Sequence, residues 1–150
     1  MDIQNFQRIG SISNAHVGRD FEFVAKGYFQ KQGLMLEANY SVSLGAWKEK
    51  KKRQFDLGSL EPPVLVECKS HRWTSSDNIP SAKITVWNES MYYFHLAPPE
   101  YRKALFVLCD YSKKRGLSLA EYYKRNYFHL IPVGVEILEY DEKLGIVRTI

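Results

Sequence analysis

The stretch VLVECK, residues 64–69, constrains this chain more than any other. Val64, Leu65 and Val66 form the apolar, β-branched run of a strand buried within its sheet. The run then ends in Glu67 and Lys69. Successive strand side chains point to opposite faces. Val64, Val66 and Cys68 therefore share one face, and Leu65, Glu67 and Lys69 share the other. The first set suits a core. The second presents a carboxylate and an ammonium side by side near the strand end. An exposed ion pair contributes little stability, so pairing alone does not account for both charges at the end of a core strand.

The surrounding sequence supplies the frame. Residues 14–33 predict a first helix capped by Asn14 and ended by Gly33, with Val17, Phe21, Val24, Ala25 and Tyr28 at helical spacing. LMLEANYSVSL (34–44) alternates as a strand does, WKEKKKR (47–53) follows as a turn or loop, and QFDLGSL is a short second strand closed by Gly58, Pro62 and Pro63. After VLVECKS comes the loop HRWTSSDN, then a helix over 80–96 with Pro80 in its first turn and Ile84, Trp87, Met91 and Phe94 on one stripe. KALFVLCD (103–110) reads as another buried strand, Ser118 and Glu121 as the capping box of a helix, and VEILEYD (135–141) as a last strand. Hairpin-like strands followed by β-α-β crossovers predict an α/β domain, a mixed β-sheet flanked by helices in the order α-β-β-β-α-β with a further α-β.

A chain of 150 residues suits one domain spanning residues 1–150, with a core of its own. No apolar run approaches membrane-spanning length and the first residues carry no signal-peptide pattern, so a cytoplasmic location is expected. Cys68 and Cys109 lie in apolar runs, which suits free thiols in a reducing compartment. With His71 and His129 they match no compact zinc module. The net charge of +4 permits a nucleic-acid partner without demanding one. WKEKKKR gathers five cations, Lys48, Lys50, Lys51, Lys52 and Arg53, around one glutamate. Taken alone, such a run reads first as a solvated loop.

Asp56 changes that balance. In the strand before VLVECK, alternation points Phe55 and Leu57 one way and Asp56 the other. If the two strands pair as a hairpin, Asp56 and Glu67 meet on one face. Two converging carboxylates repel. Either one of them keeps a proton, or a divalent cation sits between them, and carboxylate oxygens are ligands that Mg²⁺ prefers. The adjacent Lys69 can stabilise an anion that develops beside it or help deprotonate a water. Carboxylates, lysine and metal together suit hydrolysis of a phosphodiester.

Asp56 followed eleven residues later by Glu67-x-Lys69 resembles the signature of the PD-(D/E)XK nuclease superfamily, with its restriction enzymes, junction resolvases, Mrr-type and homing endonucleases. Members often carry a further glutamate on the first helix in a Gly-x-x-Phe-Glu context, and this chain has Gly18-Arg19-Asp20-Phe21-Glu22. The resemblance covers about residues 14–110 and departs from the pattern at Phe55, where a proline is common.

The resemblance implies a restriction endonuclease-like core and a Mg²⁺-dependent DNA endonuclease, with Mn²⁺ able to substitute. It implies metal ligation by Asp56 and Glu67, assistance from Glu22, a catalytic Lys69, and products bearing a 5′-phosphate. A basic run beside such a site is placed to contact the DNA backbone. Lys48, Lys50, Lys51, Lys52 and Arg53 are therefore candidate DNA contacts, as are His71, Arg72 and Lys83. His71 and Arg72 read equally as a loop with Trp73 packed down, Lys83 as an ordinary helix lysine, and Trp87 as core. A domain of this size has little surface for base readout, so a homodimer on duplex or branched DNA is expected. A module of the same fold that binds nucleic acid without turnover is the alternative from another class, and RNA or single-stranded DNA the alternative substrates.

Overall fold

A computed structural model describes residues 10–150, with side chains from residue 18 onward. Helix α1 spans Gly10–Lys31, followed by strands β1 (Glu37–Leu44), β2 (Lys51–Ser59) and β3 (Val64–Lys69), and helix α2 (Ser81–Leu96). Then come β4 (Arg102–Leu108), a small hairpin of β5 (Tyr111–Ser112) and β6 (Leu117–Ser118), helix α3 (Leu119–Tyr127), a 3₁₀ turn (Phe128–Leu130), β7 (Val135–Asp141) and β8 (Ile146–Thr149). The order matches the expected α/β arrangement. β8 and the β5–β6 hairpin are additions.

Six strands form one mixed sheet in the order β1-β2-β3-β4-β7-β8. β1, β2 and β3 make an antiparallel meander; β3, β4 and β7 run parallel; β8 returns antiparallel on β7. Two crossovers through helices produce the parallel part, as parallel pairing requires. Because helices cover both faces there, β3 and β4 read as continuous apolar runs.

Each face has its own core. On one, Phe21, Ala25 and Phe29 of α1, four residues apart, pack on Leu57, Val64, Val66, Ala104, Phe106 and Leu138. On the other, Ile84, Trp87, Met91 and Phe94 of α2 join Leu119, Ala120 and Tyr123 of α3 over Phe55, Leu65, Leu105, Val107 and Ile137. Each of these large side chains contributes about 1.5–3 kcal/mol when fully buried. The stripe expected on α2 is therefore core, and Trp87 is its centre, with no exposed surface.

The helix ends follow from local chemistry. Gly33, at φ +82°, closes α1 with a Schellman pair, Leu34 N–H to Phe29 O at 3.0 Å and Gly33 N–H to Gln30 O at 2.9 Å. Ser118 and Glu121 form the capping box of α3, with the Glu121 N–H donating to Ser118 Oγ at 3.2 Å and Glu121 Oε1 accepting from the Ser118 N–H at 2.9 Å.

Several boundaries differ from expectation. α1 already runs from Gly10, so Asn14 lies inside the helix and is not its cap. Pro80 is the N-cap residue of α2, one position before the first turn. β2 begins at Lys51, so Lys51, Lys52 and Arg53 belong to a strand and only residues 45–50 form the loop. Pairing with Leu44, Ser43 and Val42 of β1 draws them in, a tertiary preference that outweighs the poor strand propensity of lysine. Gly58 lies within β2 and does not close it. There a Cβ would stand 2.5 Å from Tyr40 Cδ1, so only glycine lets the tyrosine lie across the strand. Among the described residues no helix is long and apolar enough to cross a membrane.

Candidate active site

β3 supplies the rigid part of the site. It is hydrogen-bonded to β4 along its whole length, from Val64 opposite Arg102 to Lys69 opposite Val107. Val64 and Val66 point into the α1-side core with Cys68 packed against it, and Leu65 points into the α2-side core. Alternation within β3 is as expected, and it carries Glu67 and Lys69 to the end of the strand.

β2 behaves differently. It pairs with β3 only at Leu57–Val66, Gly58–Leu65 and Ser59–Val64, although its pairing with β1 reaches Lys51. The strands part at Asp56. Cys68 N–H donates to Asp56 Oδ2 at 2.7 Å, so a side-chain oxygen takes the role that a backbone carbonyl plays lower in the ladder. The parting breaks the alternation of β2: Phe55 packs on the α2 side and Leu57 on the α1 side, rather than both on one face. Across from Asp56 on β1, Asn39 adopts φ +54°, an irregularity at the same level. Asp56 and Glu67 still meet, through this fork and not through simple pleating.

The electrostatics of the pocket follow from crowding. Glu67 is 2% exposed. Burial first, then the charge and hydrogen bonding of Asp56, push its carboxyl up to about 8, while Lys69 and Arg53 oppose the rise. Glu22, reaching over from α1, is also raised, first by burial and then by Asp56. Asp56 thus stands between Glu22 and Glu67. Two cations answer these acids. Arg53 Nη2 lies 3.0 Å from Glu67 Oε1, and Lys69 Nζ lies 3.9 Å from Glu67 Oε2. Arg53 is held in place by the Tyr93 ring, 4.3 Å from its guanidinium carbon.

The donor chemistry, oxygen atoms of two or three carboxylates, fits a hard divalent cation that keeps most of its waters. The cage is not preformed. Among the described residues, no group of three or more His, Cys, Asp or Glu side chains could hold a metal ion as they stand. Glu22 and Glu67 crowd on Asp56 itself and are not spread around a common centre, which reconciles their proximity with the lack of a cage.

The remaining sequence candidates are distributed around this cluster. Trp87 Nε1–H donates to His71 Nδ1 at 2.8 Å, and the two rings stack at 6.3 Å. Burial first, then Lys69 and Lys83, lower His71 to about 4, so at neutral pH it is an uncharged acceptor fastened to the core. Lys83 is exposed on the first turn of α2, close enough for its charge to reach His71. Arg72 is turned away, with Nη2 2.6 Å from Glu142 Oε1 and Nη1 3.9 Å from Asp110 Oδ1. Trp73 is packed down, its N–H donating to Asp110 Oδ2 at 2.8 Å and its indole N–H to Asp110 O at 2.9 Å. Lys48, Lys50, Lys51 and Lys52 are exposed along the β1–β2 hairpin.

Arg53 is the residue whose place the sequence conceals. It closes a run of lysines and reads as one more surface cation, yet it lies inside the cluster. Alternation alone puts Arg53 on the face of Phe55, away from Asp56, so its place follows only from the fork; the one hint is that arginine suits a buried carboxylate better than lysine does. A second ionic centre also escaped notice. Glu139 of β7, 1% exposed, accepts from Arg148 Nε at 2.6 Å, and Arg148 Nη2 reaches Glu121 at 3.3 Å. The chain matches no family model, no curated protein and no solved structure.

Proposed function

We propose that this protein is a metal-dependent DNA endonuclease of the PD-(D/E)XK type, with a restriction endonuclease-like core. The observation that carries the reading is the fork at Asp56. There one side chain tied to the backbone of β3 brings Glu22 and Glu67 together beside Lys69. Structural roles alone give little reason to gather three acids at the end of a core strand, since each pays for desolvation in the presence of the others.

In this reading Asp56 and Glu67 hold Mg²⁺ or Mn²⁺, and Glu22 acts at longer range through water. The cation would polarise the phosphate and lower the pKa of a bound water. Lys69 stabilises negative charge developing on the phosphate and orients the attacking water. Asp56 is held in a fixed orientation by Cys68 N–H, and it would exchange its contacts with Glu22 and Glu67 for the cation. Glu67 must release its proton, and Arg53 must give up Oε1 or share it. The lysines of the hairpin bind the DNA backbone, and a homodimer places two sites on opposite strands.

The test is cleavage of plasmid, forked and four-way-junction DNA in Mg²⁺ and in EDTA. Metal-dependent cleavage that falls in Asp56→Asn and Lys69→Ala supports the reading; cleavage unchanged in those variants overturns it. Light scattering of the intact chain reports the dimer.

One observation favours a second reading, a nucleic-acid-binding module without turnover. Arg53 already supplies Glu67 with a positive charge at 3.0 Å, where a catalytic cation would otherwise act. Calorimetry separates the two: the module binds DNA and shows no Mg²⁺ uptake that depends on Asp56.

A further inference from the structure

Trp47 is 80% exposed, whereas the chain's other tryptophans, Trp73 and Trp87, are 6% and 0% exposed. An indole left in water needs a reason, because burying it is worth several of the smaller side chains. Trp47 sits in the six-residue loop, residues 45–50, that joins Leu44 of β1 to its partner Lys51 of β2. The loop is tight: a Cβ on Gly45 would collide with the Glu49 carbonyl oxygen, so glycine is required for the chain to turn back on itself. Lys48 Nζ lies 5.4 Å from the centre of the indole ring, and Lys50, Lys51 and Lys52 continue the positive charge toward Asp56.

The loop that carries Trp47 lies beyond the β2–β3 ladder, and Leu44 at its base packs in the α2-side core. Between Lys51 and Phe55, β2 has β1 on one side and no partner from β3 on the other. Five residues of strand separate Lys51 from Asp56, which at about 3.3 Å each is about 17 Å. The tip therefore lies about 17 Å or more from Asp56 along the strand, a span of a few nucleotides, and Lys51 and Lys52 line the path between them.

We infer that Trp47 is a stacking platform for an unpaired base, and that the site acts where a strand leaves a duplex or is already single. The inference rests on the nuclease reading for the site and adds its substrate class. An indole needs an open base face, which paired and stacked bases inside a duplex do not offer. A single strand or flap offers such faces, and aromatic side chains within a positive groove are the general way of holding one. Lysines grip the backbone while the ring takes the base. Lys48, over the ring in the free protein, moves to a phosphate when the base arrives.

The test is equilibrium binding of labelled oligonucleotides by the full chain in EDTA, where no turnover is needed. A blunt duplex, the same duplex with a short unpaired flap, and the single strand are compared for wild type, Trp47→Ala and Trp47→Phe. The expected result is a wild-type preference for the flapped and single-stranded forms. Trp47→Ala should lose that preference roughly tenfold, Trp47→Phe should keep most of it, and blunt-duplex affinity should stay unchanged. Oligonucleotide should also quench tryptophan emission in wild type and not in Trp47→Phe, since the other two indoles are buried. Equal binding by all three proteins, or a loss equal on every substrate, overturns the inference and leaves the nuclease reading standing. Absence of any nucleic-acid binding by wild type overturns both. Trp47-dependent binding to anionic phospholipid vesicles without a Trp47 effect on oligonucleotides assigns the tip to a membrane surface and overturns the inference.

Discussion

The carboxylate of Asp56 takes the backbone N–H of Cys68 at 2.7 Å, and with that contact the antiparallel pairing of β2 and β3 ends. One residue thus does two jobs. It satisfies a buried amide of the central strand and it aims charge at Glu22 and Glu67.

The two jobs separate by substitution. Asp56→Asn keeps an oxygen that accepts from Cys68 N–H, so the fold should unfold within about 1 kcal/mol of wild type while cleavage falls at least a hundredfold. Asp56→Ala strands the amide and should cost about 1–3 kcal/mol as well as activity. Denaturant titration alongside a cleavage assay checks both; equal stability of the two variants would show that the Cys68 contact is dispensable.

His71 predicts a pH dependence. Its folded value of about 4 lies below its ordinary 6.5, because burial disfavours the cation and the charges of Lys69 and Lys83 repel it. Between about pH 4 and 6.5 the unfolded chain holds a proton that the folded protein does not. The stability from His71 is therefore complete above pH 6.5 and is lost as pH falls toward 4. The difference in unfolding free energy between wild type and His71→Gln should rise with pH across that window and be flat above it. A flat difference from pH 4 to 8 would contradict the assignment.

The hairpin lysines should act through salt. Replacing Lys50, Lys51 and Lys52 with glutamine removes three exposed cations and should flatten the slope of log K against log salt by about 2–3 for duplex DNA. Stability should shift by no more than about 0.5 kcal/mol, since the side chains are on the surface. A filter-binding or anisotropy series at several salt concentrations measures the slope.

Gly58 should tolerate no side chain. A Cβ there meets Tyr40 at 2.5–2.8 Å, including the Tyr40 Cβ, which no rotamer can move. Gly58→Ala should destabilise by about 1–3 kcal/mol. Tyr40→Ala in the same chain should recover part of that loss, a non-additivity that thermal unfolding of the single and double variants detects.

The acids and the lysine of the site were legible because β3 obeys a simple period. Its apolar residues announce a core strand, and alternation then dictates where Glu67 and Lys69 point. The fork was not legible, because strict alternation places Phe55 and Leu57 together, and only the tertiary pairing of β2 with two different neighbours pulls them apart. The lysines of β2 were hidden for the same reason: their strand conformation comes from β1, not from their own propensity. Arg53 was hidden by its neighbours, five of the seven residues of that run being cations. β5, β6 and β8, at two to four residues, are too short for a pattern to emerge and exist through their partners.

The short ladder between β2 and β3 has a further consequence. Glu67 rides on a strand bonded to a neighbour along its whole length, whereas Asp56 rides on β2 with Lys51, Lys52 and Arg53, where the ladder to β3 has stopped. A shift of β2 at its lysines therefore carries Asp56 and Arg53 with it. Only the loop at residues 45–50 can change in length or charge with the strand that bears Asp56 left as it is.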